Sequence, residues 1–425
     1  MSFAPPPESE LVSWNRLRPG WRALPRGERQ ALLRAAADGL HDTWSSGARL
    51  SALSLSHLAF ERTGGTVTAR LSGTARPPGR KSSPPHDLLN TMAAWNVQVR
   101  DALSPRDALH FLRRFMRHER MDPAAMRHAI LTVAAMTESQ VRRRAASLYR
   151  ASLEEEHPDG HETPGVLRCE WHPDTSVDAR ALFAAIERIE RAPETRTLKS
   201  NPIIRVMRAN LLGHDALIKR YDLPRRIDRL KYRFRASRAR RAWAAARTML
   251  GLGIPTPEPL GFLEIYKGGV AARSYVFTEF MADAVSTYRW IKANYHRRPA
   301  DWRVQFRRDL LACLLALYDR GIYHADTKTP NLLMTHPDDA ARRTFYWIDL
   351  ECVIAGVTPG RHEIVRNLVQ LNGSFRHWVP EEDRIAFLRD IARRYPWLDR
   401  PRIVNKIRRW TLKRWRNEVS KHIGP

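Results

Sequence analysis

The sequence predicts an α+β protein whose second half folds as two lobes, one small and mostly β, the next helical. Ahead of them it predicts a mainly helical segment that is a degenerate copy of the helical lobe. Three observations carry this. From about Thr197 the chain reads as a strand hairpin, a helix and two further strands before it turns helical. The loop Tyr323-His-Ala-Asp-Thr-Lys-Thr-Pro-Asn331 joins a helix to a short strand and concentrates groups able to do chemistry. Residues 86–113 also match residues 362–389 without a gap.

The bulk numbers bound the rest. A chain of 425 residues suggests two to three compact units, and 43% hydrophobic with 28% charged residues reads as globular. The 72 Lys and Arg outweigh 45 Asp and Glu, a formal charge of +27. A field of that sign favours polyanions, whether nucleic acid, an anionic membrane or a phosphorylated substrate. The three cysteines, Cys169, Cys313 and Cys352, have no paired spacing, which fits a reducing compartment rather than a disulfide framework. The first residues show neither a basic nor an apolar leader region. The longest apolar runs, such as 310–317, fall far short of the roughly 18 residues that span a bilayer. A cytoplasmic protein, peripheral to a membrane at most, is expected.

In chain order, residues 1–19 are expected to be a flexible N-terminus and residues 20–153 the degenerate copy. His86, Asn96, Arg100 and Asp107 align with His362, Asn372, Arg376 and Asp383, and Phe111-Leu-Arg113 with Phe387-Leu-Arg389. Further back, Leu32-Leu33 can sit on Leu310-Leu311 and the hairpin 58–71 on 332–350. In that register Ala52, Ser54 and His57 replace Asp326, Lys328 and Asn331, and Arg70 replaces Asp349, so the first copy has lost every reactive group. Residues 154–195 read as a polar linker followed by a lead-in helix from Asp178 to Arg191.

The small lobe, residues 196–281, opens with the hairpin 203–209 and 216–221 around a Gly213 turn. Lys219 lies in the middle of its second strand, where it is either an edge-strand surface residue or a phosphate ligand on a rigid element. A basic helix around 226–250 ends at Gly251-Leu-Gly253, and strands 261–265 and 274–280 follow. This order is that of the small lobe of a kinase fold, and Phe277-Thr-Glu-Phe-Met281 falls where the connection between lobes would contact adenine through its backbone. The helical lobe, residues 282–425, contains the helix 307–320, Gly321 and the reactive loop.

His-x-Asp-x-Lys-x-x-Asn matches the kinase catalytic loop in each functional slot. Asp326 is placed to orient an acceptor hydroxyl and take its proton, Lys328 to balance charge on a transferring phosphoryl group, and Asn331 to hold magnesium. After the strand Leu332-Leu-Met334, a second strand ends at Tyr346-Trp-Ile-Asp349, putting a carboxylate where the second metal ligand belongs.

On these stretches, together with Thr197-Leu-Lys-Ser200, Ser237-Arg-Ala-Arg-Arg-Ala-Trp243 and Gly253-Ile-Pro-Thr-Pro-Glu-Pro-Leu260, the segment from about Leu198 to Trp415 resembles the bacterial lipopolysaccharide core kinases of the Kdo/WaaP family. The resemblance implies a protein-kinase-like fold, ATP with magnesium, and phosphorylation of a sugar hydroxyl (Kdo or heptose) in the lipopolysaccharide inner core at the cytoplasmic membrane face. By this likeness Lys219 would pair the ATP phosphates, Asp326 would be the base, and Asn331 and Asp349 would hold metal. Three features depart from the pattern. Lys199-Ser-Asn-Pro-Ile-Ile204 stands where glycines would cover the phosphates. No Glu lies between Asp228 and Glu258 to pair with Lys219, and Ala242 occupies a plausible slot for it. Leu350-Glu351 follows the metal Asp instead of Phe-Gly.

Other signals are weaker. His157, His161, Cys169 and His172 could be read as a zinc set, but the polar context fits a linker with solvated histidines. Arg142–Arg144, Arg225-Arg226 and Arg238–Arg241 are solvated faces or grips for lipid or core phosphates. In the C-terminal helix, Ile403, Ile407 and Trp410 form a stripe that lies at a membrane interface or packs on the helical lobe. The expected partner is lipopolysaccharide or another anionic acceptor, with peripheral membrane contact. Nucleic acid is not expected, since no reading module accompanies the charge. The alternatives are a pseudokinase or binding module, favoured by the absent Glu and glycines and opposed by the complete loop, or a kinase for another small molecule or protein hydroxyl. The oligomeric state is left open.

Overall fold

The computed structural model describes residues 12–45, 58–63, 66–71, 85–99, 103–119, 121–154, 167–172, 177–193, 195–223, 236–267, 270–375 and 377–422. The chain divides into two compact units, residues 1–141 and 142–425, and the helices and strands are mixed as an α+β protein requires.

The first unit begins with β1 (Val12–Ser13) and the single turn α1 (Trp14–Leu17), followed by α2 (Arg26–Ser45) and the hairpin β2 (Leu58–Thr63) and β3 (Thr66–Leu71). Helices α3 (Pro85–Val99) and α4 (Pro105–His118) and the start of α5 (Pro123–Glu154) complete it. Residues 12–17 are not the flexible tail expected from sequence. Val12 pairs with Phe60, and Trp14 and Leu17 are buried with Trp21, Leu40, Trp95 and Phe115. Their apolar side chains recur at helical spacing and are withdrawn from water with the rest of the core. The turn before α4 has a local cause: Ser104 caps the helix by accepting from the Asp107 N–H, with Pro105 at its first position. Gly39 lets α2 lie against β3, since a Cβ there would stand 2.4 Å from the Ala69 carbonyl oxygen. Ala52, Ser54 and His57 lie outside the described residues.

The second unit carries a six-stranded sheet of order β4-β8-β9-β7-β6-β5, antiparallel at every pairing. Its strands are β4 (Leu167–Trp171), β5 (Arg196–Ser200), β6 (Ile204–Leu211), β7 (His214–Asp222), β8 (Pro259–Lys267) and β9 (Val270–Glu279). Residues 167–171, expected as linker, instead supply an edge strand, while the lead-in helix expected from Asp178 to Arg191 is present as α6 (Ala179–Arg191), whose Leu182 and Ile186 join the sheet's core. Sequence hid β4 because its neighbours are polar and its partner is distant. Cys169 and His172 belong to this strand and its end; His157 and His161 lie outside the described residues. Helix α7 (Arg238–Gly251) replaces the longer helix expected, and residues 224–235, with Arg225 and Arg226, lie outside the described residues.

The helical lobe then runs through β10 (Val285–Ser286), α8 (Thr287–Asn294), α9 (Ala300–Asp319), β11 (Ile322–His324), β12 (Leu332–Thr335), β13 (Thr344–Trp347), β14 (Val353–Ala355), α10 (Arg361–Phe375), α11 (Glu381–Ala392) and α12 (Pro401–His422). β12 pairs with β13, and β11 with β14. The stripe of α12 faces inward: Ile407 is buried and Ile403 and Trp410 pack on the same core, so it covers the lobe's own apolar surface. The last turns of α5, from Arg142, belong here too. Gly356, at φ +79°, has Ala146 so close that an added Cβ would lie 2.6 Å from its Cβ.

Candidate active site

Lys219 is on an inner strand, not an edge. β7 runs between β6 and β9, with Lys219 opposite Val206 and Val276. Strand alternation sends Ala216 and Ile218 into the core beneath α6, and Lys219 and Tyr221 to the other face. The Lys219 ammonium, 13% exposed, donates to Asp349 Oδ1 at 2.6 Å and to Glu351 Oε2 at 3.2 Å. Burial alone would lower its pKa, but Tyr221, Glu351 and Asp349 outweigh that and hold it well above the usual lysine value.

Asp349 follows β13 and takes a left-handed backbone conformation, φ 62° and ψ 49°, which Asp tolerates better than most side chains. Burial pushes its carboxyl up, but the Lys219 ammonium prevails and holds it below the usual carboxylate range. Lys328 acts on Asp349 in the same direction, which brings the catalytic loop and the lysine–carboxylate pair into one electrostatic site.

The loop between β11 and β12 holds the other three expected residues together. Asp326 Oδ2 accepts from Lys328 Nζ at 2.7 Å and from Asn331 Nδ2 at 2.9 Å. Asn331 Nδ2 also donates to the Asp326 carbonyl oxygen at 2.9 Å. Both bonds use its amide nitrogen and leave Oδ1 as the atom able to bind a cation. His324, fully buried, braces the loop: Nε2 donates to the Ile348 carbonyl oxygen at 3.1 Å, and Nδ1 accepts from the Asp326 N–H at 3.1 Å. Burial depresses its pKa and keeps it neutral. Cys352 lies nearby, its thiol pushed up to about 11, first by burial and then by the surrounding carboxylates, so it is no nucleophile at neutral pH.

Beneath the loop, α10 presents a ladder of polar residues. Gln370 Oε1 accepts from the Thr327 N–H at 2.9 Å, and its Nε2 donates to the Ala325 carbonyl oxygen at 2.8 Å. Asn367 donates to the His324 carbonyl oxygen at 3.0 Å and accepts from the Tyr318 hydroxyl at 2.8 Å. The Ser374 hydroxyl accepts from the Thr329 N–H at 3.1 Å. None of these, nor Glu351 and Tyr221 as partners of Lys219, was picked out from sequence. The available signal was Asn367, Gln370 and Ser374 falling on one side of a helix that is otherwise apolar there.

Lys199–Ile204 forms a tight β5–β6 turn and not a glycine-rich flap. Asn201 Oδ1 accepts from the Ile203 and Ile204 N–H groups at 2.9 and 2.8 Å, closing the turn with a side chain. The connection Glu279–Ala284 leaves β9 with the Phe280 N–H donating to the Asp215 carbonyl oxygen at 2.8 Å, and the Arg208 guanidinium lies 3.8 Å over the Phe280 ring.

The oxygen donors suit a hard cation. Among the described residues no cluster of three or more His, Cys, Asp or Glu could hold a metal. Asn331 Oδ1 and the Asp349 carboxylate are the side-chain oxygens that could serve such an ion.

Residues 222–391 match the family described as Lipopolysaccharide kinase (Kdo/WaaP) family. The matched stretch contains Asp326, Lys328, Asn331, Asp349 and Glu351, with Lys219 just ahead of it. No curated protein sequence matches. Among solved structures, "WaaP in complex with acyl carrier protein" is similar over 53% of this chain and 91% of that one, with 20% identity and a TM-score of 0.42. Residues 222–391, within the second unit, are therefore similar to the kinases of the lipopolysaccharide kinase (Kdo/WaaP) family.

Proposed function

We propose that the second unit transfers the terminal phosphoryl group of ATP, with magnesium, to a sugar hydroxyl of the lipopolysaccharide inner core, Kdo or heptose. The observation that carries this is the Asp326 carboxylate, clamped on one oxygen by Lys328 and Asn331 while Lys219 and Asp349 pair beside it. Both clamps fall on Oδ2, so Oδ1 is the oxygen that meets an acceptor hydroxyl and takes its proton as the hydroxyl attacks phosphorus. Lys328 lies within reach of the charge that develops on the transferring group. Lys219 holds the ATP phosphates from its strand, and the Glu279–Ala284 connection lies where adenine would contact backbone. Asn331 and Asp349 would hold the magnesium ion, whose charge offsets that of the phosphates. The formal charge of +27 suits a phosphorylated acceptor. Exposed Arg402, Arg408, Arg409 and Lys413 on α12 would meet an anionic membrane by charge alone, since the apolar stripe of that helix is used inside. No helix among the described residues is long and apolar enough to cross a membrane.

The first unit is read as a degenerate helical lobe. The succession of α2, hairpin, α3, α4 and α5 parallels that of α9, hairpin, α10, α11 and α12. Two polar pairs recur: the aligned Asn96 and Asn372 each donate to a threonine of the last helix, Thr137 at 3.2 Å and Thr411 at 3.1 Å, and Arg29 with Asp107 at 3.8 Å is matched by Arg307 with Asp383 at 3.6 Å. Its hairpin carries Arg70 where the second copy has Asp349, which supports a scaffold without chemistry.

The test is phosphate transfer from ATP to purified, dephosphorylated lipopolysaccharide core by wild type and Asp326→Ala. The expected result is transfer by wild type and a loss of about 10²–10⁴-fold in the variant, the usual worth of a positioned base. A folded, ATP-binding wild type that leaves this acceptor untouched would remove the acceptor assignment. Undiminished transfer by Asp326→Ala would remove the assigned base.

A further inference from the structure

A kinase lysine that grips phosphates needs a carboxylate to hold it, and α7, the helix beside it, carries none: from Arg238 to Gly251 its charged residues are all Arg. We propose that Glu351 is the positioning residue for Lys219, so that the lysine's anchor lies on the turn of the metal-binding Asp349 instead of on the helix. This rests on the reading of Lys219 as a phosphate ligand.

Three features of the site converge on Glu351. Its carboxylate, 19% exposed, meets Lys219 Nζ with both oxygens, at 3.2 and 3.4 Å. Its Oε2 also accepts from the Tyr221 hydroxyl at 3.1 Å, and Tyr221 stands two residues beyond Lys219 on the same face of β7. A strand, a lysine and a tyrosine therefore fix the carboxylate from one side. From the other, α7 turns a face of buried alanines, Ala239, Ala242, Ala245 and Ala246, into the core that Tyr221 and Leu350 share. Small side chains there leave room for the 350–352 turn to come up against the helix and bring its acid to the lysine.

The second carboxylate has a distinct task. Lys219 also pairs with Asp349 at 2.6 Å, the residue assigned to the cation. When a cation claims Asp349, Glu351 remains to neutralise and orient the ammonium. Without Glu351 the lysine has Asp349 alone and competes with the cation for it. Loss of Glu351 therefore weakens ATP binding and raises the magnesium requirement together, a pairing that loss of packing would not produce.

The variants are Glu351→Gln, nearly isosteric and still able to accept from Tyr221, and Glu351→Asp, which keeps the charge on a shorter arm. ATP binding is measured by calorimetry across a magnesium titration, KM and kcat by phosphate transfer, and folding by thermal melting. Expected are a rise of about tenfold or more in Kd and KM for ATP with Glu351→Gln, a higher magnesium midpoint, a smaller kcat change, and partial recovery with Glu351→Asp. Wild-type binding and magnesium midpoint retained in a folded Glu351→Gln would overturn the anchor and leave the ATP reading intact. A wild type that binds no ATP would overturn both.

Discussion

Gln370 is the residue whose loss should separate a well-held catalytic loop from a merely folded one. It is 3% exposed and spans the loop backbone on both sides of Asp326, taking the Thr327 N–H and giving to the Ala325 carbonyl oxygen. Gln370→Leu keeps the volume and removes both backbone bonds, along with those that Gln370 Oε1 accepts from the Thr327 hydroxyl at 3.1 Å and Asn367 Nδ2 at 3.4 Å. Thr327 is wholly buried, so its N–H is left with the full desolvation penalty of about 1–3 kcal/mol. Ala325 is only half-buried, and water can serve its carbonyl at a cost of about 1 kcal/mol or less. The Thr327 hydroxyl still reaches the Asn367 carbonyl oxygen at 3.3 Å. The total of about 1–4 kcal/mol leaves most proteins folded. A displacement of about 1 Å at the adjoining Asp326 costs about 10²-fold in kcat. Urea denaturation followed by tryptophan fluorescence gives the first quantity, and initial rates at saturating ATP and acceptor the second. Gln370→Glu supplies the control. Its carboxylate can still accept from Thr327 but sets an oxygen against the Ala325 oxygen, so its activity should improve as pH falls and the acid becomes a donor. A Gln370→Leu protein destabilised by less than about 1 kcal/mol, with kcat within about twofold of wild type, would refute the clamp.

Two further outcomes follow from the same structure. Protonating His324 would turn its Nδ1 from acceptor to donor against the Asp326 N–H; its folded pKa is lowered by burial, so its stabilising share is complete above about pH 6.5 and is lost as pH falls toward the folded value, at up to about 1.4 kcal/mol per pH unit. Denaturation curves between pH 7.5 and 5 should show this slope, and His324→Gln should flatten it. Gly356→Ala should destabilise by about 2 kcal/mol or more, because it adds a Cβ both to a left-handed backbone and against Ala146; calorimetric melting will show it, whereas Gly27→Ala, with nothing within 4 Å of its Cβ, should not lower the melting temperature.

Much of the candidate site was legible in the chain because its residues are local. Asp326, Lys328 and Asn331 lie within one short loop, and their spacing alone places them on one turn, where they do meet. Asp349 could be placed because a short hairpin joins it to that loop. The strands and helices with strong period, β6 to β9 and α9, were also readable. Less was visible at β4, a short strand in polar surroundings that exists because it pairs with β8 nearly a hundred residues later.

Tertiary structure decided the partners. Sequence could show that α7 lacks a glutamate but not what replaces it, since Glu351 reaches Lys219 across 132 residues of chain. Nor could it show that Lys219 sits on an inner strand, which depends on β9 pairing along the far side of β7. The stripe on α12 read equally well as a membrane face or a core face, and only the apolar surface of α10 beneath it settled the matter. Periodicity and loop spacing fix which residues share a turn or a face, because the backbone geometry of one element does that alone. Which carboxylate neutralises a buried lysine is set by whichever acid the packed elements bring within hydrogen-bond reach, and burial then makes that pairing obligatory.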